Sequence, residues 1–297
     1  MGDSIYLPYF FVISDDKDLT LKPRLFNNSG GSRKIVLQTE YRQETRNSLT
    51  IVDSSITTGH YSDAKNKADK DSRSHLFANT NIDLNFKDFN SSKLEINYEK
   101  ISNDNYLQLF DFIKSPLWKK SRGSLTSKIE LDLAHEDYDF GSTIAMYESL
   151  GGKNSDRYTY VLPTYDFSKN FFLTNFDGSL NLSSSGNNTI SNTNISKTKV
   201  SNGLTLNSFD FYTNIGIANN YEFLFKNLNS MSDNSLKYKN SPQSELMSAY
   251  YFNASLPLQK ITKDRHNTLT PKLKFGISPH EMKYLSLIHI SEPTRPY

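Results

Sequence analysis

Histidine and acidic side chains are the groups in this sequence best suited to metal binding or acid–base chemistry. Four of them lie close together in the run AHEDYDF, at His135, Glu136, Asp137 and Asp139. Imidazole and carboxylate groups at this spacing could bind a cation or exchange a proton. The run follows the end of an alternating segment, however, so a solvated turn is the favoured interpretation.

The rest of the chemically active residues give no stronger signal. No two histidines have the spacing of a metal site, so all six are interpreted as surface or loop residues: His60, His75, His135, His266, His280 and His289. The chain has no cysteine, which excludes disulfides, thiolate ligands and cysteine nucleophiles. The run SLGGKNS (149–155) is not a phosphate loop, because Tyr147 occupies the position of the required first glycine. The sequence therefore predicts a protein that is not an enzyme and that has no cofactor or metal.

Two prolines near the start stand in segments that otherwise read as strands. Pro8 lies in a segment that is apolar on both faces and includes Tyr9, Phe10 and Phe11, and Pro23 lies in the segment that follows. A central strand rarely contains proline, because the missing N–H breaks the hydrogen-bond ladder. Two interpretations stay open: an edge strand covered by another domain, or an edge that is weakened for a function.

The elements that would position these residues are β-strands. Apolar and polar residues alternate with period two over 76–86, 93–99 and 125–133, which is typical of strands with two different faces. Similar runs bring the total to about fourteen strands; they lie at 5–13, 18–26, 34–43, 48–57, 140–148, 157–167, 171–182, 203–217, 220–227, 247–258 and 268–277. Turns are predicted at 27–32, 88–92 and 183–189, and a solvated loop at 57–75.

The alternation also predicts which residues share a face. One face should carry apolar side chains: Leu76, Ile82, Leu84, Phe86, Leu94, Ile96 and Tyr98. The other should carry polar ones: Asn79, Asp83, Glu95 and Glu99. Alternation alone does not separate a membrane barrel from a soluble β-sandwich or β-solenoid, because all of them bury one face.

Composition favours the barrel. The chain of 297 residues is only 36% hydrophobic yet 13% aromatic, which fits strands with one face toward lipid and one toward water. Its formal net charge of +2 gives no sign of a nucleic-acid partner, and no apolar run is long enough for a transmembrane helix. We expect an all-β fold: an antiparallel transmembrane β-barrel fragment of about fourteen meander strands, open and curved, in one domain over 1–284.

Both ends of the chain carry further expectations. No segment at the start resembles a signal peptide, so a natural N-terminus is expected to be missing. The run LSLIHISEPTR (285–295) resembles the translation of a sequencing adapter. We therefore expect 285–297 to be an artefact without structure.

Six short passages together resemble one family. They are LPYFFVISDDKDLTLKPRLF (7–26), LQTEYR (37–42), KLEINYEKISNDNYLQLF (93–110), RYTYVLPTYDF (157–167), SLPLQKI (255–261) and LTPKLKFGISPHEMK (269–283). In this order they resemble the first half of the barrel of the lipopolysaccharide-assembly outer-membrane proteins, the LptD (OstA, Imp) family. The chain departs from the family at Val12, where Asn is frequent, and at Ser74, where Trp is frequent. Cysteines found in some members are absent.

The resemblance implies a transporter of the bacterial outer membrane that performs no chemistry. Lipopolysaccharide would leave sideways into the outer leaflet, with Pro8 and Pro23 at the lateral gate and Tyr9, Phe10 and Phe11 as possible acyl-chain contacts. The implied partners are lipopolysaccharide, a plug lipoprotein (LptE-like), and periplasmic bridge proteins that bind through an N-terminal domain. The alternatives are another outer-membrane porin or uptake barrel, or a soluble β-rich binding or enzymatic protein.

Overall fold

The fold is all-β, as the alternation predicts. The computed structural model describes residues 4–27, 33–58, 73–106, 113–117, 123–151, 156–174, 176–192, 194–235, 240–262 and 265–280. The predicted artefact at 285–297 lies outside these residues. Within them, no helix is both long and apolar enough to cross a membrane.

Eighteen strands run through the described residues. In chain order they are β1 (Ser4–Tyr6), β2 (Tyr9–Ser14), β3 (Lys17–Asn27), β4 (Arg33–Glu44), β5 (Ser48–Thr58), β6 (Arg73–Asp83), β7 (Phe89–Ile101), β8 (Ser124–His135), β9 (Tyr138–Ser149), β10 (Tyr158–Leu173), β11 (Gly178–Ser191), β12 (Ile195–Ser208), β13 (Phe211–Tyr212), β14 (Ala218–Asp233), β15 (Gln243–Ser255), β16 (Leu258–Thr262), β17 (Arg265–Leu269) and β18 (Lys272–His280).

Sixteen of these strands form one antiparallel sheet. Its path is β1-β3-β4-β5-β6-β7-β8-β9-β10-β11-β12-β14-β15-β18, with β2 also paired to β3 and β13 to β14. Strands β16 and β17 pair only with each other. The order follows the chain without a crossover, and among the described strands β1 and β2 form one edge of the sheet and β18 the other, each paired on one side only. The predicted open meander of about fourteen strands is confirmed.

Several predicted boundaries are wrong. The run 171–182 is not one strand, because β10 ends at Leu173 and β11 begins at Gly178, and 203–217 likewise runs past the end of β12. The turn expected at 88–92 falls earlier, at 84–88, where Asn85 has a φ of 53°. Leu84 and Phe86 therefore lie beyond β6, so the alternation that included them does not place them in the strand.

Two polar runs are strand where a turn or loop was predicted. The run SSSGNNT (183–189) lies inside β11, because β10 and β12 pair with it on both sides and satisfy its backbone. The predicted loop 57–75 is shorter than expected, because Thr57 pairs with Arg73 in the ladder between β5 and β6. Residues 59–72 of that loop lie outside the described residues. Local composition does not predict the structure in either place, because pairing with the neighbouring strands outweighs the turn preference of these residues.

The two faces of the sheet differ in character, as predicted. Ile96 of β7 stands opposite Ile129 of β8, which stands opposite Ile144 of β9, and all three side chains are exposed. We call this the apolar face; it also carries Leu25, Leu37, Ile56, Leu76, Phe225, Tyr250, Phe275 and Ile277, each at least 37% exposed. The register places Leu76, Ile82, Leu94, Ile96 and Tyr98 on it and Asn79, Asp83, Glu95 and Glu99 on the other face.

The hydrophobic core lies on that other face. Residues 102–117, which we call the strap, follow β7, and their described parts pack against the sheet from β4 to β7. Tyr106 and Ile113 of the strap are buried against Val36, Phe77 and Ile101 of the sheet. We call this the strap face. The buried core is therefore on the side opposite the apolar face, whose side chains stay exposed.

Candidate functional site at the first strands and the strap face

The first strand is interrupted at Leu7 and Pro8, which separate β1 from β2. Tyr6 pairs with Arg24 and Tyr9 with Leu21, so Leu7 stands opposite Pro23 in the same register. The Leu7 N–H donates to the carbonyl oxygen of Pro23 at 3.2 Å. Pro23 has no N–H to return the bond. The first pair of strands therefore lacks one ladder hydrogen bond at this point.

Pro8 removes a donor on the opposite side of the first strand. Successive peptide groups along a strand point to opposite sides, and the Leu7 N–H points toward β3. The nitrogen of Pro8 therefore faces the open edge of the sheet. The structure thus gives the two prolines different places: Pro23 weakens the pair between the first strand and β3, and Pro8 leaves one donor fewer on the edge.

The aromatic residues after Pro8 divide between the two faces. Tyr9 and Phe11 share the apolar face with Leu21 and Leu19 of β3, while Phe10 shares the strap face with Thr20. All three aromatic side chains are about half exposed, at 53%, 48% and 58% for Tyr9, Phe11 and Phe10. The edge strand is therefore apolar on both sides, as the sequence indicated.

A cavity of about 230 Å³ opens on the strap face beside this edge. It is lined by Tyr6, Lys22, Arg24, Val36, Gln38, Ile113 and Lys114. The guanidinium of Arg24 lies 4.7 Å from the ring centre of Tyr6, and Lys22 pairs with the buried Glu40. The wall next to the first strand thus combines cationic and apolar side chains.

A buried polar cluster anchors the strap to the middle of the sheet. Ser55 and His75 face each other across β5 and β6, and the Ser55 Oγ lies 3.0 Å from the His75 Nδ1. The Nε2 atom of His75 lies 3.0 Å from the Oδ1 atom of Asp53. The Tyr106 hydroxyl reaches in from the strap to hydrogen-bond Ser55 and also lies 3.1 Å from the His75 Nδ1.

An aspartate, a histidine and a serine in line resemble the residue set of a hydrolase, but this arrangement does not suit one. A catalytic serine must reach substrate, with the acid on Nδ1 and the serine on Nε2. Here the arrangement is reversed, because Ser55 lies on Nδ1 and Asp53 on Nε2. In addition, Ser55, His75 and Asp53 are each at most 5% exposed. Tyr106 covers the serine. The cluster holds the strap in place and offers no route to a substrate.

Two further contacts fix the ends of the strap. Near its start, Asp104 accepts hydrogen bonds from Arg157 at 2.6 Å and from the Gly151 N–H at 3.2 Å. Burial raises the pKa of Asp104, but the hydrogen bonds from Arg157 and Gly151 outweigh it, so the pKa lies below its ordinary value. Near its end, the Lys114 carbonyl accepts from Lys22 and Gln38. The strap thus reaches from β9 and β10 to β3.

The histidine predictions have mixed outcomes. Of the run AHEDYDF, only Glu136 and Asp137 form the predicted exposed turn, since His135 ends β8 half-buried and Asp139 lies in β9. No group of three metal-binding side chains occurs in the part of the chain that the structure describes. The surface interpretation of His75 is wrong, since its side chain is fully buried. The pairing of His75 with Ser55 depends on the register between β5 and β6, two strands that residues 59–72 separate in the sequence. No local motif predicts that register. His60 and His289 lie outside the described residues.

Comparisons with known proteins give no assignment. No family model matches the chain, and no curated protein matches it at a significant level.

Proposed function

We propose that this chain is part of the wall of a bacterial outer-membrane barrel that inserts lipopolysaccharide into the outer leaflet through a lateral gate. The six passages in family order support the family and the cargo. The open meander supports the barrel, because sheets that cross membranes are antiparallel and pair their strands in chain order. In this proposal a plug lipoprotein and periplasmic bridge proteins act with the complete barrel.

The observation that carries the proposal is the exposure of the apolar face. In a soluble β-sandwich this face would be covered by a second sheet. Here the buried core lies on the strap face, and among the described strands only the short β16–β17 hairpin is outside the main sheet. A continuous apolar face of isoleucine, leucine and aromatic side chains needs an apolar environment. Lipid supplies it along the whole sheet.

The gate function rests on the geometry of the first strand. A seam that opens sideways must be weaker than the other strand pairs, yet in hydrocarbon an unsatisfied N–H is expensive. Proline removes the donor, so no N–H is left unsatisfied. Each missing ladder bond lowers the net pairing energy by about 1 kcal/mol. Pro8 acts on the edge that would meet the closing strand, and the exposed rings of Tyr9, Phe10 and Phe11 provide apolar surface for acyl chains.

The test replaces Pro8 and Pro23 by alanine in the intact barrel and follows delivery of lipopolysaccharide to the cell surface. We expect slower delivery, because alanine restores one donor at the edge and one in the first pair. Pro163→Ala is the matched control, since Pro163 lies at a bulge inside the sheet, where β9 and β11 flank β10. If the double variant delivers lipopolysaccharide at the normal rate, the prolines have no gate function and only indicate an edge strand.

The strap favours a second candidate, a porin or uptake barrel. A segment pinned across the inner wall of a barrel narrows its lumen, as a channel requires for selectivity. Conductance in a planar bilayer separates the two functions. Steady single-channel currents that change with Tyr106→Ala, together with normal lipopolysaccharide delivery, would favour the channel.

A further inference from the structure

The pattern of Leu7, Pro8 and Pro23 occurs a second time in the last hairpin of the sheet. Ser255 pairs with Lys272 and Leu258 with Leu269, so β15 with β16 and β17 with β18 keep one register, in which Leu256 stands opposite Pro271. The Leu256 N–H donates to the carbonyl oxygen of Pro271 at 3.0 Å, and again a proline, Pro257, follows the leucine. The strand that contains β15 and β16 and the strand that contains β17 and β18 are both interrupted at these residues. The interruption separates β16 and β17 from the main sheet.

The hairpin beyond this break, which we call the arm (258–269), has little to hold it in place. Its described residues, Leu258–Thr262 and Arg265–Leu269, pair only with each other, and every one of them is exposed. A lone two-stranded hairpin is only marginally stable in water. Pro271 has no N–H to return the bond from Leu256, and Pro257 lacks one on the opposite side of its strand, toward β14. Among the described residues, the arm is therefore joined to the main sheet only through its own two strands.

The arm and its base are basic. The arm contains Lys260, Lys263 and Arg265 against one acidic residue, Asp264, and Lys272 lies just below the break, where 270–280 contain no aspartate or glutamate. Two apolar side chains share the face of Lys260 and Arg265: Leu258 is 46% exposed and Leu269 is 65% exposed. Exposed cations and exposed apolar groups on one face suit the boundary between headgroups and acyl chains.

We propose that the arm is a hinged contact that rests on the anionic headgroups of the membrane surrounding the sheet. Lys260 and Arg265 bind headgroup phosphates, and Leu258 and Leu269, which share their face of the hairpin, enter the headgroup boundary. The prolines allow the arm to turn away from the strand direction toward the membrane surface. This inference rests on the membrane location in the proposed function, but it does not depend on a lateral gate or on the cargo.

The absence of cysteine from the chain makes the test direct. Leu269→Cys, on the same face as Lys260 and Arg265, carries an environment-sensitive fluorophore, and the chain is reconstituted in phosphatidylcholine vesicles with or without phosphatidylglycerol. We expect a blue shift that grows with phosphatidylglycerol and that disappears in 1 M salt, where screening acts within about 3 Å. Adding Lys260→Gln and Arg265→Gln should lower the ratio of bound to free arm about 30-fold, because each cation near an anionic surface contributes about fivefold.

Two control variants separate the arm from general effects of charge and folding. Arg46→Gln with Lys87→Gln removes two exposed cations in other hairpin turns and should leave the probe response unchanged. Pro257→Ala with Pro271→Ala should weaken the response, because the restored donors join the arm to the sheet. If the labelled chain folds poorly, hydrogen exchange of 258–262 and 265–269 in the unlabelled chain reports the same contact as slower exchange on anionic vesicles.

The outcomes distinguish this inference from the function on which it rests. A chain that enters both kinds of vesicle but gives the same signal in each overturns the arm contact and leaves the membrane wall intact. A chain that associates with neither vesicle overturns the arm contact and the membrane location together. A shift that Arg46→Gln with Lys87→Gln lowers as much as Lys260→Gln with Arg265→Gln does overturns the assignment to the arm.

Discussion

Tyr165 of β10 stands directly opposite Gly186 of β11, and its ring covers the glycine. A Cβ atom added at Gly186 would overlap the ring carbon Cε1 of Tyr165. The same relationship joins Tyr251 of β15 to Gly276 of β18. An aromatic ring across the strand shields the exposed backbone of a glycine and stabilises an otherwise weak strand position. This pairing explains how a run of serine, glycine and asparagine belongs to the interior of a sheet.

Gly186→Ala should destabilise the sheet by about 1–3 kcal/mol, the usual effect of forcing an extra methyl group into a filled space. Gly123→Ala is the control, since an added Cβ there meets no atom within 4 Å. The measurement is the urea midpoint of the folded chain in detergent. Equal midpoints for the two variants would show that Tyr165 moves aside at no cost.

The Tyr106 hydroxyl should matter less than the Tyr106 ring. Tyr106→Phe leaves Ser55 and His75 bonded to each other, so we expect a loss of about 1 kcal/mol. Tyr106→Ala also empties the core beneath the strap and should cost about 3–5 kcal/mol. The rate at which a protease cleaves the strap measures the loss in each Tyr106 variant. Tyr98→Phe, on the apolar face, is the control. A strap that is cleaved no faster in Tyr106→Ala would contradict its anchoring role.

The start of the strap should loosen in acid. The pKa of Asp104 in the folded chain is below its ordinary value, so its contribution is present above the unfolded pKa of about 3.9 and is lost as pH falls through the lower folded value. Hydrogen exchange at the Gly151 amide, which bonds to Asp104, should speed up below about pH 4 relative to the pH trend of unstructured amides. Asp104→Asn should remove this pH dependence, and an unchanged profile would contradict it.

The two faces should respond differently to a buried charge. Ile96→Arg, in the middle of β7, places a cation on the apolar face and should cost about 2–4 kcal/mol near the middle of a bilayer, whereas Asn97→Arg on the strap face should cost little. The measurement is the unfolding free energy in lipid vesicles. Similar losses for the two variants would indicate a sheet that is surrounded by water.

The fold could be predicted from the sequence because alternation acts over each strand separately. Leu76, Ile82, Leu94 and Ile96 share a face as expected, since a two-residue period survives any change in neighbouring strands. Boundaries were less predictable. The alternation of apolar and polar residues continues by chance through Leu84 and Phe86. The strand itself ends before them, and Asn85 adopts the left-handed conformation of the turn that follows.

The buried parts of the strap face could not be predicted. Asp53, Ser55 and His75 are polar residues on strands whose polar face was expected to meet water, and only the strap makes that face a core. Tyr106 lies 51 residues from Ser55, so no local pattern connects them. Pro8 and Pro23 were recognisable as unusual, but the direction of each missing donor follows only from the register with β3.

The strap also sets an order of assembly. Every ladder of the main sheet joins strands that are close in the chain, so hairpins can form one after another with short loops to close. The contact between Lys22 and the Lys114 carbonyl closes a span of 92 residues, and its entropic cost is repaid only when β3 to β7 are already aligned. The strap should therefore dock late, as a check that the first strands have paired in the correct register.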